Sequence, residues 1–196
     1  MKISVFVGCS LDGFIARPDG TLDWLMGTPE PGSPPPEHGY DAFMAGIDTV
    51  LMGRKTFETV LAMGIWPYAG KRVAVLSTTL AALPDSVAGK AELQRGPVAA
   101  LAAQLAAGGC QGLYVDGGAT IQAFLRAGLV DEITISRLPV LIGSGIALFG
   151  ALPHDVKLEH QRTKVYEGGM VQSAYRVVRP TWSVPASSRN PSGMTA

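Results

Sequence analysis

Charge is scarce in this sequence. Of 196 residues, 16 are Lys or Arg and 16 are Asp or Glu, so the formal net charge is +0 and the charged share is 16%. A protein that grips nucleic acid through its phosphates needs a basic excess or stripe to displace counterions, and the sequence has neither. Long hydrophobic runs are missing too. Although hydrophobic residues make up 47% of the chain and the mean hydropathy is +0.23, no stretch approaches the roughly 18 uncharged apolar residues that cross a bilayer. The opening MKISVFVGCS is too short in its apolar run, and too poor in cations with Lys2 alone, to be a secretory signal. Cysteine occurs twice, at Cys9 and Cys110, without a neighbouring Cys or spaced His, which excludes a disulfide scaffold and a zinc site. His38, His154 and His160 show no ligand spacing either and read as loop or surface residues. These absences predict a protein of the reducing cytoplasm with free thiols, without metal, membrane or nucleic acid as partner.

What is present is core material. A chain of this length buries roughly 70% of the surface it exposes when unfolded, which fits one domain. Short apolar runs recur at 3–7, 49–52, 72–77, 112–116 and 132–142, with the length and Val/Ile content of strands buried on both faces of a mostly parallel sheet. Between them, 40–47, 56–63, 97–107 and 119–127 carry apolar residues at helical spacing. Pro97 suits a first turn and Gly128 the residue after a helix. Residues 157–164 and 170–178 flank an EGG turn and predict a β-hairpin. The expectation is one α/β domain over 1–179, with a proline-rich insert at 28–39 and a disordered tail at 180–196.

One pattern occurs twice. In TVLMGRKTFETVL a buried strand ends at Gly53 and a helix follows; in LYVDGGATIQAFL a strand ends at Asp116 and Gly117-Gly118 open the next helix. A helix start offers unpaired N–H groups and the positive end of its dipole, and glycine admits close approach of an oxygen. Arg54 and Lys55 add charge, and Thr56 a hydroxyl and a cap. Ordinary βα turns use the same residues, so each turn alone leaves that alternative open. Together they suit a dinucleotide. The strand RVAVLS leads into Thr78 and Thr79, where a site preferring NAD would place Asp or Glu, so hydroxyls with Arg54 nearby favour NADPH.

Five segments in order, SLDGFIARPDG at 10–20, MGRKTFE at 52–58, LSTT at 76–79, VDGGATI at 115–121 and LVDEITISRLPVLIGSG at 129–145, resemble the dihydrofolate-reductase-like superfamily. They are most similar to stand-alone bacterial proteins related to the reductase half of the bifunctional riboflavin-biosynthesis deaminase-reductase. The resemblance runs from about residue 2 to 179. It implies a mostly parallel eight-stranded mixed sheet with flanking helices and a C-terminal hairpin, NADPH as cofactor, and hydride transfer to a small polarised molecule. By position, Gly53, Arg54, Lys55 and Thr56 would hold phosphates, and Ser77, Thr78 and Thr79 the ribose and its 2′-phosphate. Gly117, Gly118, Ala119, Thr120 and Ile121 would follow the pyrophosphate, while Gly8, Ile15 and Ala16 stand beside the nicotinamide under a mobile loop, Ser10 to Gly20. Phe14, Trp24, Phe43 and Met44 are candidates for an apolar substrate pocket, with core packing the alternative for each.

Two departures shape the functional expectation. Dihydrofolate reductases carry an acid on the helix before the G-R-x-T strand, and counting back from Gly53 falls between Glu37 and Asp41. Riboflavin-pathway reductases follow that strand with a phosphate-reading segment which this chain replaces by RKTFETVLAM, while Asp116 stands where they use Glu. Asp12 reads as a cap of its own loop. The expected activity is NADPH-dependent reduction of a small heterocyclic (pteridine- or pyrimidine-like) or carbonyl substrate, with Asp41, Glu37 and Asp116 as acid candidates. The alternatives are a non-catalytic NADP(H)-binding or regulatory protein, 5-amino-6-(5-phosphoribosylamino)uracil reduction, and dihydrofolate reduction proper. The family often forms homodimers, and the apolar stretch 138–149 fits either an interface between copies or the rim of the pocket.

Overall fold

The computed structural model describes residues 1–26 and 38–179. In chain order the elements are Lys2–Ser10 (β1), Phe14–Ala16 (β2), Asp23–Met26 (α1), Tyr40–Ala45 (α2), Thr49–Gly53 (β3), Arg54–Ala62 (α3), Arg72–Leu76 (β4), Glu92–Gln94 (β5), Val98–Ala107 (α4), Gly112–Asp116 (β6), Gly118–Arg126 (α5), Glu132–Leu138 (β7), Ile146–Ala147 (β8), Leu158–Val165 (β9) and Val171–Val177 (β10). Eight strands form one sheet in the order β5-β4-β3-β6-β1-β7-β10-β9, and β2 pairs with β8 separately. From β5 through β7 every pairing is parallel, and β10 and β9 close the sheet antiparallel. The unbroken Val/Ile runs lie where expected, because central parallel strands need apolar residues on both sides.

Alternation along the strands builds two cores. Val5, Leu51, Leu113 and Val115 face α4 and α5, where Leu105, Ile121 and Phe124 pack on them. Val50, Met52, Val73, Val75 and Tyr114 face the other way, onto Phe57 and Val60 of α3 and Met44 of α2. Phe57 and Phe124 are 1% and 0% exposed, and truncating either to Ala should cost about 3–5 kcal/mol.

Some boundaries differ from the sequence expectation for identifiable reasons. The run 132–142 stops as a strand at Leu138, since Pro139 has no N–H to give a ladder. Pro97 is the residue before α4, with φ −64° and ψ 140°, so it lies outside the first turn. Gly128 follows α5 with φ +65°, as its position predicted. The four short elements α1, β2, β5 and β8 have too few residues to show a period. The hairpin forms around residues 167–169, where Gly168 and Gly169 take φ +81° and +83°. Most of the proline-rich stretch, and all of 180–196, lie outside the described residues.

Candidate active site

A cleft opens where one strand leaves its neighbour. β1 keeps its ladder with β7 through Ser10↔Leu138, but with β6 it pairs only from Lys2↔Gly112 to Ser4↔Tyr114. Beyond that point Tyr114 donates its hydroxyl to the Phe6 carbonyl at 2.9 Å, satisfying an acceptor that the ladder has released. The chain runs from β3 through β5 toward one edge and returns through β6 and β7, so this is also the place where strand order reverses. In open α/β sheets, ligands bind outside the carboxyl ends of the strands at such a point.

The two strand-to-helix turns meet at this end. β3 and β6 are paired neighbours, with Met52 opposite Asp116, which sets the starts of α3 and α5 side by side on opposite faces of the sheet. A Cβ on Gly117 would overlap Thr56 Oγ1, and one on Gly53 would lie 2.8 Å from Thr120 Oγ1. Gly117 also takes φ +89°. Both glycines are therefore required by the packing of one turn on the other. Neither helix start has a side-chain cap. Thr56, expected to cap, lies inside α3 with its hydroxyl toward Gly117, which leaves the leading N–H groups of both helices open to an anion. Ala119 is exposed, while Gly118, Thr120 and Ile121 are buried.

Loop 10–20 is fastened over the start of α5. A Cβ on Gly118 would lie 2.7 Å from Ile15 Cδ1, and Ala16 is 7% exposed. Asp12, read as a cap of its own loop, reaches a different segment. Its carboxylate accepts from Gly143 N–H at 2.8 Å and Ile142 N–H at 3.3 Å, and from the Ser10 hydroxyl, which in turn accepts from Phe14 N–H. Those three donors to the carboxylate outweigh its desolvation and hold the carboxyl below its ordinary value.

The hydroxyl-rich turn after β4 has an organiser that the sequence did not reveal. Ser77 is buried, and its Oγ accepts from Thr79 N–H and Leu80 N–H; Thr78 and Thr79 are exposed. Arg95 donates to the carbonyls of Ser77 at 3.4 Å, Thr78 at 3.3 Å, and Leu80. Arg54, expected to serve this turn, is 3.4 Å from Glu58 one helical turn on, and Lys55 is exposed. The charge of Arg95 is legible in the sequence; its contact with residues 15–18 positions away is not.

Of the three acid candidates, the structure sets Asp116 at the cleft. It follows Tyr114 by two on β6 and so shares that residue's face. Gly117 N–H donates to its Oδ1 at 2.8 Å. Burial lifts its pKa from 3.8 to about 6, against that bond and the neighbouring Tyr114 hydroxyl, both of which favour the charged form. Three phenols surround it. Burial first, and then the Asp116 charge, raise the hydroxyls of Tyr40, to about 12, and of Tyr68 and Tyr114 further. None of these tyrosines was singled out from the sequence, although the i, i+2 spacing in GLYVD already put Tyr114 and Asp116 on one face. Asp41 stands exposed in the first turn of α2, and Glu37 lies outside the described residues.

Next to the cleft is a cavity of about 740 Å³, lined among others by Phe6, Gly8, Leu25, Tyr40 and Ser136. A Cβ on Gly8 would come within 2.7 Å of Leu25 Cδ1, so Leu25 would have to turn aside to admit one. The candidate pocket residues fall in different places. Phe43 stacks 4.9 Å from Phe6 and 5.0 Å from Tyr114. Met44, 8% exposed, belongs to the core under α2, so its place is packing. Phe14 is half-buried in β2, away from the lining of this cavity. Trp24 Nε1 is buried without an acceptor among the described residues.

Residues 1–172 match the family described as the RibD C-terminal domain. The uncharacterized protein YwjB of Bacillus subtilis (strain 168) is 33% identical over 178 residues, spanning 89% of this chain and 97% of YwjB. A crystal structure from Shewanella sp. PV-4, of a protein whose name links it to riboflavin biosynthesis, has a TM-score of 0.85 at 39% identity and covers 91% of this chain and all of its own, 100%. Dihydrofolate reductase from Enterococcus faecalis, complexed with NADP(H), has a TM-score of 0.62 at 17% identity over 90% of this chain and 96% of that one, which shows a common fold. With a family match over most of its length and a dihydrofolate-reductase-like sheet, the chain belongs to the RibD C-terminal domain family, which is of reductase type.

Proposed function

We propose that this chain is an NADPH-dependent reductase of a small heterocyclic or carbonyl substrate bound beside Gly8 and Tyr40. The observation that carries the reading is Asp116, an enclosed carboxyl with its pKa near 6 at the base of a cleft flanked by two uncapped helix starts. The residues present suit the cofactor. The open N–H groups at Gly53–Thr56 and Gly117–Ile121 would hold its phosphates, and Ser77, Thr78, Thr79 and Arg95 its ribose and 2′-phosphate. Gly8, Ile15 and Ala16 would flank the nicotinamide, which when bound supplies a hydride from its C4.

The chain's own part is placement and proton supply. Phe6 and Tyr40, with Leu25, form an apolar wall that excludes water and holds a flat ring against β1. Asp116 stays protonated up to about pH 6 and can donate to the substrate atom that gains negative character. Arg95 shapes the turn at Ser77–Leu80 and keeps a guanidinium there for an added phosphate. Buried free thiols at Cys9 and Cys110 suit a cytoplasmic setting. Exposed Leu141, Phe149 and Leu152 suit a homodimer, which light scattering with size exclusion would test.

The deciding experiment is a fluorescence titration with NADPH and NADH, followed by absorbance assays of NADPH oxidation with dihydrofolate, pyrimidine-ribosylamine, quinone and aldehyde acceptors. Tighter NADPH binding that weakens in Arg95→Ala, with turnover on one acceptor class, is expected. Tight binding with no acceptor consumed would leave the non-catalytic NADP(H)-binding reading in its place.

A further inference from the structure

A second cavity, of about 460 Å³, lies under α2 on the same face of the sheet. It adjoins the larger one, since Phe6 and Tyr166 line both. Its floor is unusual. On the opposite face β7 buries Ile133 and Ile135, whereas this face presents Ser4, Thr134 and Gln172 to the cavity, 5%, 8% and 7% exposed, with Ser136 beside them under the larger cavity. The Ser4 and Thr134 hydroxyls on this floor line the cavity, where they can donate to a polar ligand. The Gln172 amide is itself satisfied and ties the two cavities together, donating to Ser136 Oγ and to the His38 carbonyl, both at 2.9 Å, and accepting from the Tyr166 hydroxyl at 3.4 Å.

Cations rim this floor. Register places Lys164 opposite Gln172 and Arg162 opposite Ala174, so both side chains of the edge strand β9 share the floor's face and line the cavity. Among the described residues neither is within ion-pair distance of a carboxylate. The third cation, Lys2, is paired with Glu132 at 2.8 Å. Lys164 Nζ stands 4.4 Å from the centre of the Tyr166 ring, at the junction of the cavities.

We propose that this cavity is an oxyanion subsite, and that the substrate is elongated, with its ring beside Gly8 and Tyr40 and a phosphate or carboxylate tail between Arg162 and Lys164. The ring's place rests on the reductase reading above; the anion site stands independently of it. The volume suits a short acidic tail, and two unpaired cations over hydroxyl donors form charge-assisted hydrogen bonds to either oxyanion.

The test is amide NMR of the full chain at constant ionic strength, titrated with inorganic phosphate, phenyl phosphate and benzoate. Saturable shifts at Thr134, Arg162, Lys164 and Gln172 are expected. Phenyl phosphate should bind at least about tenfold tighter than inorganic phosphate, because its ring reaches the Phe6–Tyr166 junction. Arg162→Gln with Lys164→Gln should weaken binding by about tenfold or more, leaving circular dichroism and NADPH titration unchanged, whereas Lys90→Gln, away from the cavity, should have no effect. Stronger binding of phenyl phosphate than of benzoate assigns a phosphate tail, and the reverse a carboxylate. Absence of saturable binding for all three probes, or equal loss in Lys90→Gln, overturns the subsite; equal affinity for phenyl and inorganic phosphate overturns its link to the ring cavity. If NADPH fails to bind while phenyl phosphate still does, the reductase reading falls and the subsite remains.

Discussion

Replacing Asp116 by Asn tests the site through stability and does not require the substrate. Between pH 4 and 6 the folded protein holds a proton on Asp116 that the unfolded chain has released, because burial raises the folded pKa from 3.8 to about 6. Wherever the folded state binds more protons, stability falls as pH rises. The wild type should therefore lose stability progressively across that window and show the full penalty above it. At 1.36 kcal/mol per pH unit the difference amounts to about 3 kcal/mol, or about 1–3 once the solvent-facing edge of the carboxylate is allowed for. Asp116→Asn carries no charge, and its Oδ1 can still accept from Gly117 N–H. Urea unfolding should thus show the variant gaining on the wild type by about 1–3 kcal/mol between roughly pH 4 and 7. In turnover assays kcat/KM of the wild type should decline above about pH 6, and the variant should be slow at every pH. Parallel stability profiles for the two proteins would refute the claim that the enclosure of Asp116 controls its proton.

Three other perturbations probe the surrounding frame. Gly117→Ala places a methyl group on Thr56 Oγ1 at a backbone φ of +89°; it should cost about 2–4 kcal/mol in urea unfolding, and Thr56→Gly in the same chain should recover only the steric part. Asp12→Ala releases Ser10, Ile142 and Gly143 together, so hydrogen exchange at residues 10–16 and 141–145 should accelerate while β3 and β6 stay protected. Asp48 joins the starts of β3 and β6. Desolvation opposes its charge, but donors on Thr49, Cys110, Gln111 and Gly112 outweigh it and draw the pKa down to about 2. Its contribution is present above about pH 4 and disappears as pH falls through 2, so Asp48→Asn should lower the midpoint of thermal unfolding at neutral pH and leave it unchanged at the acid end.

The sequence determined the sheet and the end of it that carries the site. Central parallel strands are buried on both sides, so their Val/Ile runs at 49–53, 72–76 and 112–116 are visible as composition alone. The glycines at the strand-to-helix junctions are visible in the sequence too, although what requires them, apart from the φ of +89° at Gly117, is the packing of one turn on the other. The cap assigned to Thr56 and the partner of Arg54 came out differently, since each depends on which turn packs against which. That Gly117 must be glycine because of Thr56, sixty-one positions earlier, follows from β3 and β6 being neighbours. Only the tertiary structure enclosed Asp116 among Tyr40, Tyr68 and Tyr114, attached Arg95 to the Ser77 turn, and brought Arg162 and Lys164 over a hydroxyl floor. A pKa or an anion site arises from desolvation and charge at short range, and short range in space is a property of the folded chain.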